Sequence, residues 1–382
     1  MNLNDYFDPV NVDFEYKDYI NSKEQLYSYC SINTSENKIK NIESFNIAIL
    51  GVVNNYTNKT EESIKGLLKI REYFYSLSSF SKQIKIYDLG NLKQGKTAND
   101  HSVGLRDVLV ELISLNITPI IIGSSEDIIY PNYLAYQMLD QKINIVSIDS
   151  KINITENSER EYRSPLWKII LENNESLFSF SNIGYQTHFV NSKITKYLSD
   201  QLHSFYRLGN IRSKIRDVEP VFRDADIIGL NISSVRQSDA FGQENPSPNG
   251  YFGEEICQLA RYAGLSTKLT SFGIYDYHFA SDINYQTAHL IAQILWYFID
   301  GHLNKITEHP LDNDKNYKRF IVNIDGFDQE IVFYKSEKTS RWWVEVPTLK
   351  SYVLISCTHD DYKEAGNGDV PERWLKAFQK LN

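Results

Sequence analysis

The stretch Ile117-Thr118-Pro119-Ile120-Ile121-Ile122-Gly123-Ser124-Ser125-Glu126-Asp127 contains the transition on which the fold assignment rests. An apolar run without polar alternation is typical of a strand buried on both faces, and the glycine and polar residues after it predict a loop. The preceding segment, Val103 to Leu115, repeats its apolar residues at helical spacing. The sequence therefore predicts a helix, a buried strand and a polar loop in this order.

The same alternation of strand and helix extends in both directions along the chain. The predicted strands cover residues 45–53, 84–89, 117–122, 143–148, 177–183, 226–232 and 269–274, and the predicted helices cover 61–77, 103–115, 253–262 and 284–301. Strict alternation with apolar strands favours an α/β fold, a three-layer α-β-α arrangement around a mainly parallel sheet. In such sheets, ligand sites lie at the carboxyl ends of the strands.

The two ends of the chain have a different composition. Residues 1–41 are polar and rich in Asn and Ser, which predicts a loosely packed N-terminal arm before an α/β domain at 42–311. Residues 312–382 contain three short apolar runs (320–324, 330–334 and 341–346) and a turn at Asp325-Gly326. This pattern predicts a small antiparallel β-hairpin and helical appendage, with Pro371 at the start of its last helix.

Composition excludes several classes of function. Hydrophobic residues make up 42% and charged residues 23% of the chain, and the net charge of -9 with a pI near 5.5 argues against nucleic-acid binding. The three cysteines, Cys30, Cys257 and Cys357, are too few and too scattered for a disulfide framework. No signal peptide is apparent, and the apolar stretch from Leu290 to Ile299 is too short to insert into a membrane, so a cytoplasmic location is expected.

Polar and acidic residues follow three of the predicted strands. Glu126 follows the third strand, and a later strand ends in Asn231 with Ser233 two residues beyond. The fourth strand is followed by the alternating set Asp149, Lys151 and Asn153. Because carboxyl ends of parallel strands share one edge of a sheet, these residues are expected to meet.

The spacing and order of these segments resemble the ureohydrolase superfamily, which comprises arginases, agmatinases and formiminoglutamases. The resemblance is collinear from about Phe45 to Gly301, and the helix start Gly253-Glu254-Glu255 and the segment 271–276 resemble the formiminoglutamase branch in particular. It implies an arginase-like fold. The family binds two manganese ions through a His in a Gly-Gly-x-His segment, an Asp-x-His-x-Asp segment and an Asp-x-Asp segment.

The resemblance places these ligands at Glu126, Asp149, Lys151, Asn153, Asn231 and Ser233, and only Asp149 keeps the family residue. A metal pair that makes hydroxide at neutral pH needs bridging carboxylates and imidazoles, whereas Asn and Ser are weak neutral ligands. The sequence therefore predicts a degenerate metal site with no metal cofactor, although manganese is expected for the family.

Several interpretations of this site remain open. Lys151 is hypothesised to replace the metals by placing its ammonium group between Glu126 and Asp149, which would otherwise be two buried like charges. Alternatively, these positions are ordinary polar loop residues, or Glu126 and Asp149 hold a single ion. Asp276 lies where the family often places an acid that contacts the substrate, but an acid that caps a strand end fits equally well.

Other patterns compete with this interpretation. Residues Gly90 to Thr97 match the phosphate-loop pattern, but a helix N-cap at Asp100 or Ser102 would leave the helix start too far from a phosphate. None of the eight histidines has the spacing of a zinc site, and for His101 and His278 a surface or packing role is favoured over a position in the ligand cleft. Trp342, Trp343 and Trp374 are expected to pack in the core of the appendage rather than form a partner surface.

The function predicted from these residues is that of a catalytically inactive ureohydrolase-like protein, a pseudoenzyme that serves as a scaffold or interaction subunit. The alternatives are a metal-dependent formiminoglutamase or guanidino-compound hydrolase, and a nucleotide-binding protein that uses Gly90 to Thr97. The expected partner is another protein or a second copy of the chain. Proteins that resemble it are encoded near gliding-motility and type IX secretion components, which points weakly to a partner of that kind.

Overall fold

The structure is a computed structural model that describes residues 1–11, 23–53, 60–157, 162–310, 314–327 and 329–382. Its centre is a ten-stranded sheet in the order β1-β4-β3-β5-β12-β11-β6-β9-β10, with β2 also paired to β4. Every pairing in this sheet is parallel except that of β1 with β4. The strands are β1 (Phe7–Asp8), β2 (Cys30–Ile32), β3 (Ile47–Val52), β4 (Ile86–Leu92), β5 (Thr118–Gly123), β6 (Ile143–Ile148), β9 (Leu177–Tyr185), β10 (Ser204–Arg207), β11 (Ile227–Asn231) and β12 (Ser271–Tyr275). Two short strands, β7 (Glu156–Asn157) and β8 (Tyr162–Arg163), form a separate antiparallel pair.

Helices cover both faces of this sheet. One apolar cluster joins one sheet face to α1, α8 and α9, and a second joins the other face to α2 and α3. The helices of this part are α1 (Thr60–Ser76), α2 (Ala98–Ser114), α3 (Ile129–Met138), α4 (Pro165–Trp167), α5 (Ser192–Asp200), α6 (Leu208–Ser213), α7 (Glu219–Arg223), α8 (Gly253–Gly264) and α9 (Gln286–Leu303). The predicted three-layer α-β-α fold with a mainly parallel sheet is confirmed.

The described part of the N-terminal arm packs into the main sheet. β1 and β2 pair with β4, and Leu3, Phe7 and Leu26 are buried. Gly90 makes the first pairing possible, because its φ is 93° and a side-chain Cβ there would lie 2.1 Å from the carbonyl oxygen of Asp8. The expected loose packing is therefore wrong for these residues. Their polar composition does not reveal the short strands β1 and β2, because these strands form only by pairing with β4.

The appendage is a four-stranded antiparallel sheet in the order β13-β14-β15-β16, followed by two helices. The elements are β13 (Tyr317–Val322), β14 (Ile331–Ser336), β15 (Trp342–Pro347), β16 (Tyr352–Cys357), α10 (His359–Gly366) and α11 (Glu372–Leu381). Pro371 is the N-cap of α11, as expected. Trp374 is fully buried and Trp342 and Trp343 nearly so, which confirms that these rings pack in the core. The expected domain boundary at residues 311 and 312 lies outside the described residues and stays a prediction.

Polar contacts join the appendage to the main sheet. The Arg223 guanidinium lies 4.4 Å from the centre of the Trp343 ring and donates to the Trp342 carbonyl. Asp224, directly after α7, accepts from the backbone N–H and the hydroxyl of Ser356. Among the described residues, no helix is long and apolar enough to cross a membrane.

Candidate functional site

Four adjacent strands of the main sheet, β5, β12, β11 and β6, deliver the predicted site residues at their carboxyl ends. Glu126 begins a 3₁₀ turn (Glu126–Ile128) that follows β5, and Asp276 follows β12. Asn231 is the last residue of β11, and Asp149 directly follows β6. The expectation that the strand ends bring these residues together is confirmed by the hydrogen bonds between them.

Asn231 links two of the acids. Its amide nitrogen donates to Asp149 Oδ2 at 3.1 Å and to Asp276 Oδ2 at 2.8 Å. Its amide oxygen accepts from the backbone N–H and the hydroxyl of Ser233, at 2.9 and 2.6 Å. Both ends of the Asn231 amide are therefore occupied, and Ser233 points to Asn231 rather than to an open position.

Glu126 joins the same network from the other side. Its backbone N–H donates to Asp276 Oδ1 at 3.1 Å, and its Oε2 accepts from the Asn153 amide at 3.2 Å. Asn153 is held in turn by Ser164, whose hydroxyl donates to the Asn153 carbonyl at 2.7 Å. We call the three acids Glu126, Asp149 and Asp276, with their amide donors Asn153 and Asn231, the carboxylate cluster.

The Lys151 side chain leaves this cluster. Its backbone N–H donates to Asp149 Oδ1 at 2.9 Å, but its ammonium nitrogen lies 5.5 Å from the centre of the Phe189 ring. Among the described residues, it forms no ion pair with Glu126 or Asp149. The ammonium group therefore contacts the Phe189 ring, while its charge still acts on Asp149 through space, and the hypothesis that it replaces the metals stays a prediction.

Burial raises the pKa of all three acids, and repulsion by neighbouring acids adds to the shift. The pKa of Asp149 rises to about 7, mainly because burial disfavours its charged form, although the Lys151 backbone N–H opposes the shift. Burial, followed by the charges of Asp149 and Asp276, raises the pKa of Glu126 well above its usual value. Burial also raises the pKa of Asp276. Asp149 is therefore partly protonated near neutral pH, and all three acids hold a proton more tightly than exposed carboxyl groups do.

Asp276 caps the strand end, which is one of the two roles left open for it, and its contact with a substrate stays a prediction. Its φ is 62°, so it turns the chain sharply after β12, and its carboxylate receives the Glu126 backbone N–H. The same carboxylate belongs to the carboxylate cluster through Asn231. The acid thus caps the strand end and contributes charge to the cleft.

Residues Gly90 to Thr97 do not have the geometry of a phosphate loop. Gly90 lies within β4, and its positive φ serves the contact with Asp8 described above. Thr97 is the N-cap of α2, and its side chain and that of Asp100 bond each other's backbone N–H groups in a capping box. The predicted N-cap at Asp100 or Ser102 is therefore wrong, since Asp100 is the third helical residue and supports the cap at Thr97.

The histidines noted in the sequence make local contacts. His101 Nδ1 lies 3.2 Å from the Lys93 carbonyl, and His278 Nδ1 lies 2.7 Å from the Ser281 hydroxyl. Within the described parts of the chain, no group of three or more His, Cys, Asp or Glu side chains is placed to hold a metal ion.

Sequence reasoning missed the residues that position the cluster. Asn182 donates to the Lys151 carbonyl at 2.9 Å, and Ser164 holds both Asn153 and the backbone of Thr155. Phe189 receives the Lys151 ammonium group. Only Asn182 had a signal, an amide at the end of a predicted buried strand, because burial of an amide requires a hydrogen-bond partner.

Comparison with known proteins identifies relatives of this chain. No family model matches it. It is 25% identical over 253 residues to the formimidoylglutamase of Staphylococcus haemolyticus, covering 62% of this chain and 79% of that protein. The crystal structure of Trypanosoma cruzi formiminoglutamase with Mn2+2 matches with a TM-score of 0.63 and 16% identity, covering 70% of this chain and 97% of that one. The agmatine ureohydrolase of Thermoplasma volcanium matches with a TM-score of 0.58 and 16% identity, covering 76% and 98%.

The expectation that no metal cofactor accompanies this chain needs correction. The formiminoglutamase of Trypanosoma cruzi carries two Mn2+ ions, so manganese belongs to the relatives with which the chain shares its fold. The prediction was wrong because it considered only the altered ligand positions and not the metal content of proteins that share the fold.

The side chains of this chain do not fit a metal pair as they stand. An amide N–H group of Asn231 points at Asp149 and at Asp276, although a bound cation requires an oxygen or nitrogen lone pair there. Asn153 likewise donates to Glu126, and the hydroxyl of Ser233 donates to Asn231. The carboxylate cluster contains the oxygen atoms of three acids, but its two amides, Asn153 and Asn231, donate to those acids.

The sheet order and the structural matches show that the chain has an arginase-like (ureohydrolase-like) fold, and its sequence is similar to those of formimidoylglutamases.

Proposed function

We propose that this chain is a formimidoylglutamase-like protein that no longer hydrolyses amidines and acts as a binding or interaction subunit. The observation that supports the proposal is the double hydrogen bond of the Asn231 amide to Asp149 and Asp276. In a metal-activated hydrolase, the acids at the strand ends must be free to bind cations that convert water to hydroxide at neutral pH. In this chain, the amide group of Asn231 already occupies two of these acids.

The charges of the cluster support the same proposal. General base catalysis requires a carboxylate within hydrogen-bond reach of an activated water. Burial raises the pKa of Asp149 to about 7, so this acid is partly protonated near neutral pH, and burial also raises the pKa of Glu126; each of the two acids is already bonded to an amide. Among the described residues, the cluster therefore offers no free carboxylate to activate a water molecule.

A metal-dependent formiminoglutamase or guanidino-compound hydrolase is the second candidate. The identity of 25% to a formimidoylglutamase favours it, and so do the three acids at the strand ends. It requires that Asn231 release Asp149 and Asp276 when manganese binds.

An assay of N-formimino-L-glutamate and agmatine hydrolysis with excess Mn2+ separates the two candidates. We expect no turnover above the uncatalysed rate, while the formimidoylglutamase of Staphylococcus haemolyticus turns over its substrate under the same conditions as the positive control. Turnover by this chain that disappears with Asp149→Asn would establish the hydrolase instead. Manganese content, measured by elemental mass spectrometry on the same samples, tells whether metal is bound in either case.

The interaction role is tested separately, by the mass of the purified chain in solution. We expect either a homo-oligomer or a stable complex recovered from the source cells, since the proposal assigns the fold to binding. The link to gliding or type IX secretion components stays a prediction, and the identity of a recovered partner checks it.

A further inference from the structure

The two edge strands of the appendage sheet differ in charge. β13 carries the charged and exposed side chains of Lys318 and Arg319, whereas β16 (Tyr352–Cys357) has no charged residue. Charged side chains on an edge strand hinder its pairing with another chain, and an edge strand without them is open to such pairing. β16 is therefore the edge of this sheet that is suited to receive a further strand.

The backbone of β16 has free hydrogen-bonding groups at one end. The backbone N–H of Ser356 donates to Asp224 at 3.0 Å, so it points away from β15. Backbone groups alternate in direction along a strand, so the N–H and C=O groups of Tyr352 and Leu354 also point away from β15. Pro347, which has no N–H group, lies opposite Tyr352 and agrees with this direction. Among the described residues, no group pairs with the outer backbone groups of Tyr352 and Leu354.

Apolar side chains are exposed at the same end of β16. Leu349, in the turn before the strand, is 87% exposed, and Tyr352 and Val353 are each 41% exposed. Single exposed apolar residues are normal on a protein surface, whereas contiguous ones mark interaction surfaces. The free backbone groups and the exposed side chains therefore belong to one surface, which we call the β16 edge (residues 349–354).

The β16 edge is complementary to a second copy of itself. When a two-fold axis passes through Val353, Tyr352 of each copy lies opposite Leu354 of the other and exchanges both N–H···O=C bonds with it. The two Val353 side chains then lie next to each other at the axis. Because β16 has no charged residue, no like charges meet there.

The charges next to β16 agree with the same register. The exposed Lys350 falls opposite Ser356 of the second copy. Asp224 lies beside Ser356 and accepts from its hydroxyl at 2.5 Å, so each copy brings a lysine close to a carboxylate of the other. A carboxylate has further lone pairs for such a contact.

We propose that the chain forms a two-fold dimer in which β16 pairs with β16 of a second copy, so that the two appendage sheets become one antiparallel sheet. An extended segment of another protein would meet the same outer backbone groups. A second copy also supplies the symmetric set of donors and acceptors and a lysine for each Asp224. The dimer rests on the interaction role proposed above and gives that role a surface.

Sedimentation velocity of the full chain from low to high micromolar concentration tests the proposal. We expect the mass to rise from that of one chain to that of two. Val353→Lys places two ammonium groups opposite each other at the axis, so it should raise the dissociation constant by about tenfold or more. Ile321→Lys is the matched control, because Ile321 is 48% exposed on β13 and the substitution adds the same charge to the other edge. It should leave the dimer unchanged.

A second measurement uses the unmodified chain and guards against a variant that fails to fold. Hydrogen exchange of the Tyr352 and Leu354 amides should slow as the concentration rises, while exchange on β13 stays the same. A chain that remains a monomer overturns the proposal, and so does a dimer that a folded Val353→Lys variant leaves intact. Slowed exchange confined to other elements overturns it as well.

The dimer and the loss of hydrolysis can fail separately. A monomer that lacks turnover of N-formimino-L-glutamate contradicts the dimer alone. A dimer that shows turnover supports the pairing and contradicts the loss of hydrolysis.

Discussion

The Asn231 amide explains why the cluster of acids is stable in a buried position. Three acids at adjacent strand ends repel each other, and burial adds a desolvation cost to each charge. Asn231 offsets this by donating to Asp149 and Asp276 at once, while its oxygen is held by Ser233. The resemblance to the family predicts an Asp at this position. A single substitution therefore distinguishes an amide that binds the acids from a carboxylate that binds a metal.

Replacing Asn231 with the family residue should make the fold depend on a metal. Asn231→Asp removes the shared donor and adds a fourth acid, so we expect the free energy of unfolding to fall by about 3 kcal/mol without metal. Manganese should restore much of this loss, because it binds the folded state only. Thermal unfolding with and without Mn2+ measures both effects. Asn231→Leu serves as the control, since it removes the donor but should not respond to manganese; equal stability of Asn231→Asp and the parent would contradict the argument.

His203 predicts a pH dependence of stability at the other end of the sheet. Its Nδ1 accepts the Phe180 backbone N–H at 3.2 Å, which requires a neutral ring. Burial and the charges of Lys380 and Lys376 lower its pKa to about 3. A histidine with a depressed folded pKa contributes stability that is complete above its unfolded pKa of about 6.5 and is lost as the pH falls toward 3.

We therefore expect the free energy of unfolding to decrease below about pH 6.5. His203 should contribute up to about 1.4 kcal/mol of this decrease per pH unit. Denaturant titrations between pH 7 and 4 measure the slope. His203→Gln keeps an acceptor near Phe180 but cannot titrate, so it should remove this part of the slope. A slope that is identical in the variant would assign the effect to other groups, such as His302, whose pKa burial lowers to about 4.

At the scale of elements, apolar periodicity predicted the strands of the sheet centre within a few residues, because those strands are buried on both faces. It missed β1, β2 and β10, which have two to four residues and form only by pairing with a neighbour that sequence does not reveal. It also missed β16 and α10 in the appendage. The capping-box pattern of Thr358 and Asp361 was sufficient to predict the start of α10. The charged sequence of the helix was not.

The sequence predicted which residues meet at the site as well as it predicted the strands that carry them. That Glu126, Asp149, Asn231 and Asp276 meet follows from parallel strands that end at one edge. The direction of the Lys151 side chain does not follow, because it depends on Phe189, which is distant in sequence. Sequence places a residue at a strand end, and tertiary packing decides where its side chain points.

For the whole molecule, the polar contacts between main sheet and appendage determine whether the two unfold together. Asp224 receives two hydrogen bonds from Ser356, and Arg341 pairs with Glu219 at 3.0 Å. Arg223 contacts both Trp342 and Trp343. These groups are largely buried at the junction, so separating the two parts would leave charged groups without partners, at a cost of several kcal/mol.

We therefore expect one cooperative unfolding transition. Tryptophan fluorescence reports mainly on the appendage, which contains Trp342, Trp343 and Trp374 of the five tryptophans, while far-ultraviolet circular dichroism reports mainly on the larger sheet and its helices. The two signals should change at the same denaturant concentration in the parent chain. Asp224→Ala should separate them, with the fluorescence change first, because Ser356 loses its acceptor. Asp325→Ala, in the exposed turn after β13, should leave them together; separate transitions in the parent chain would mean that the appendage folds on its own.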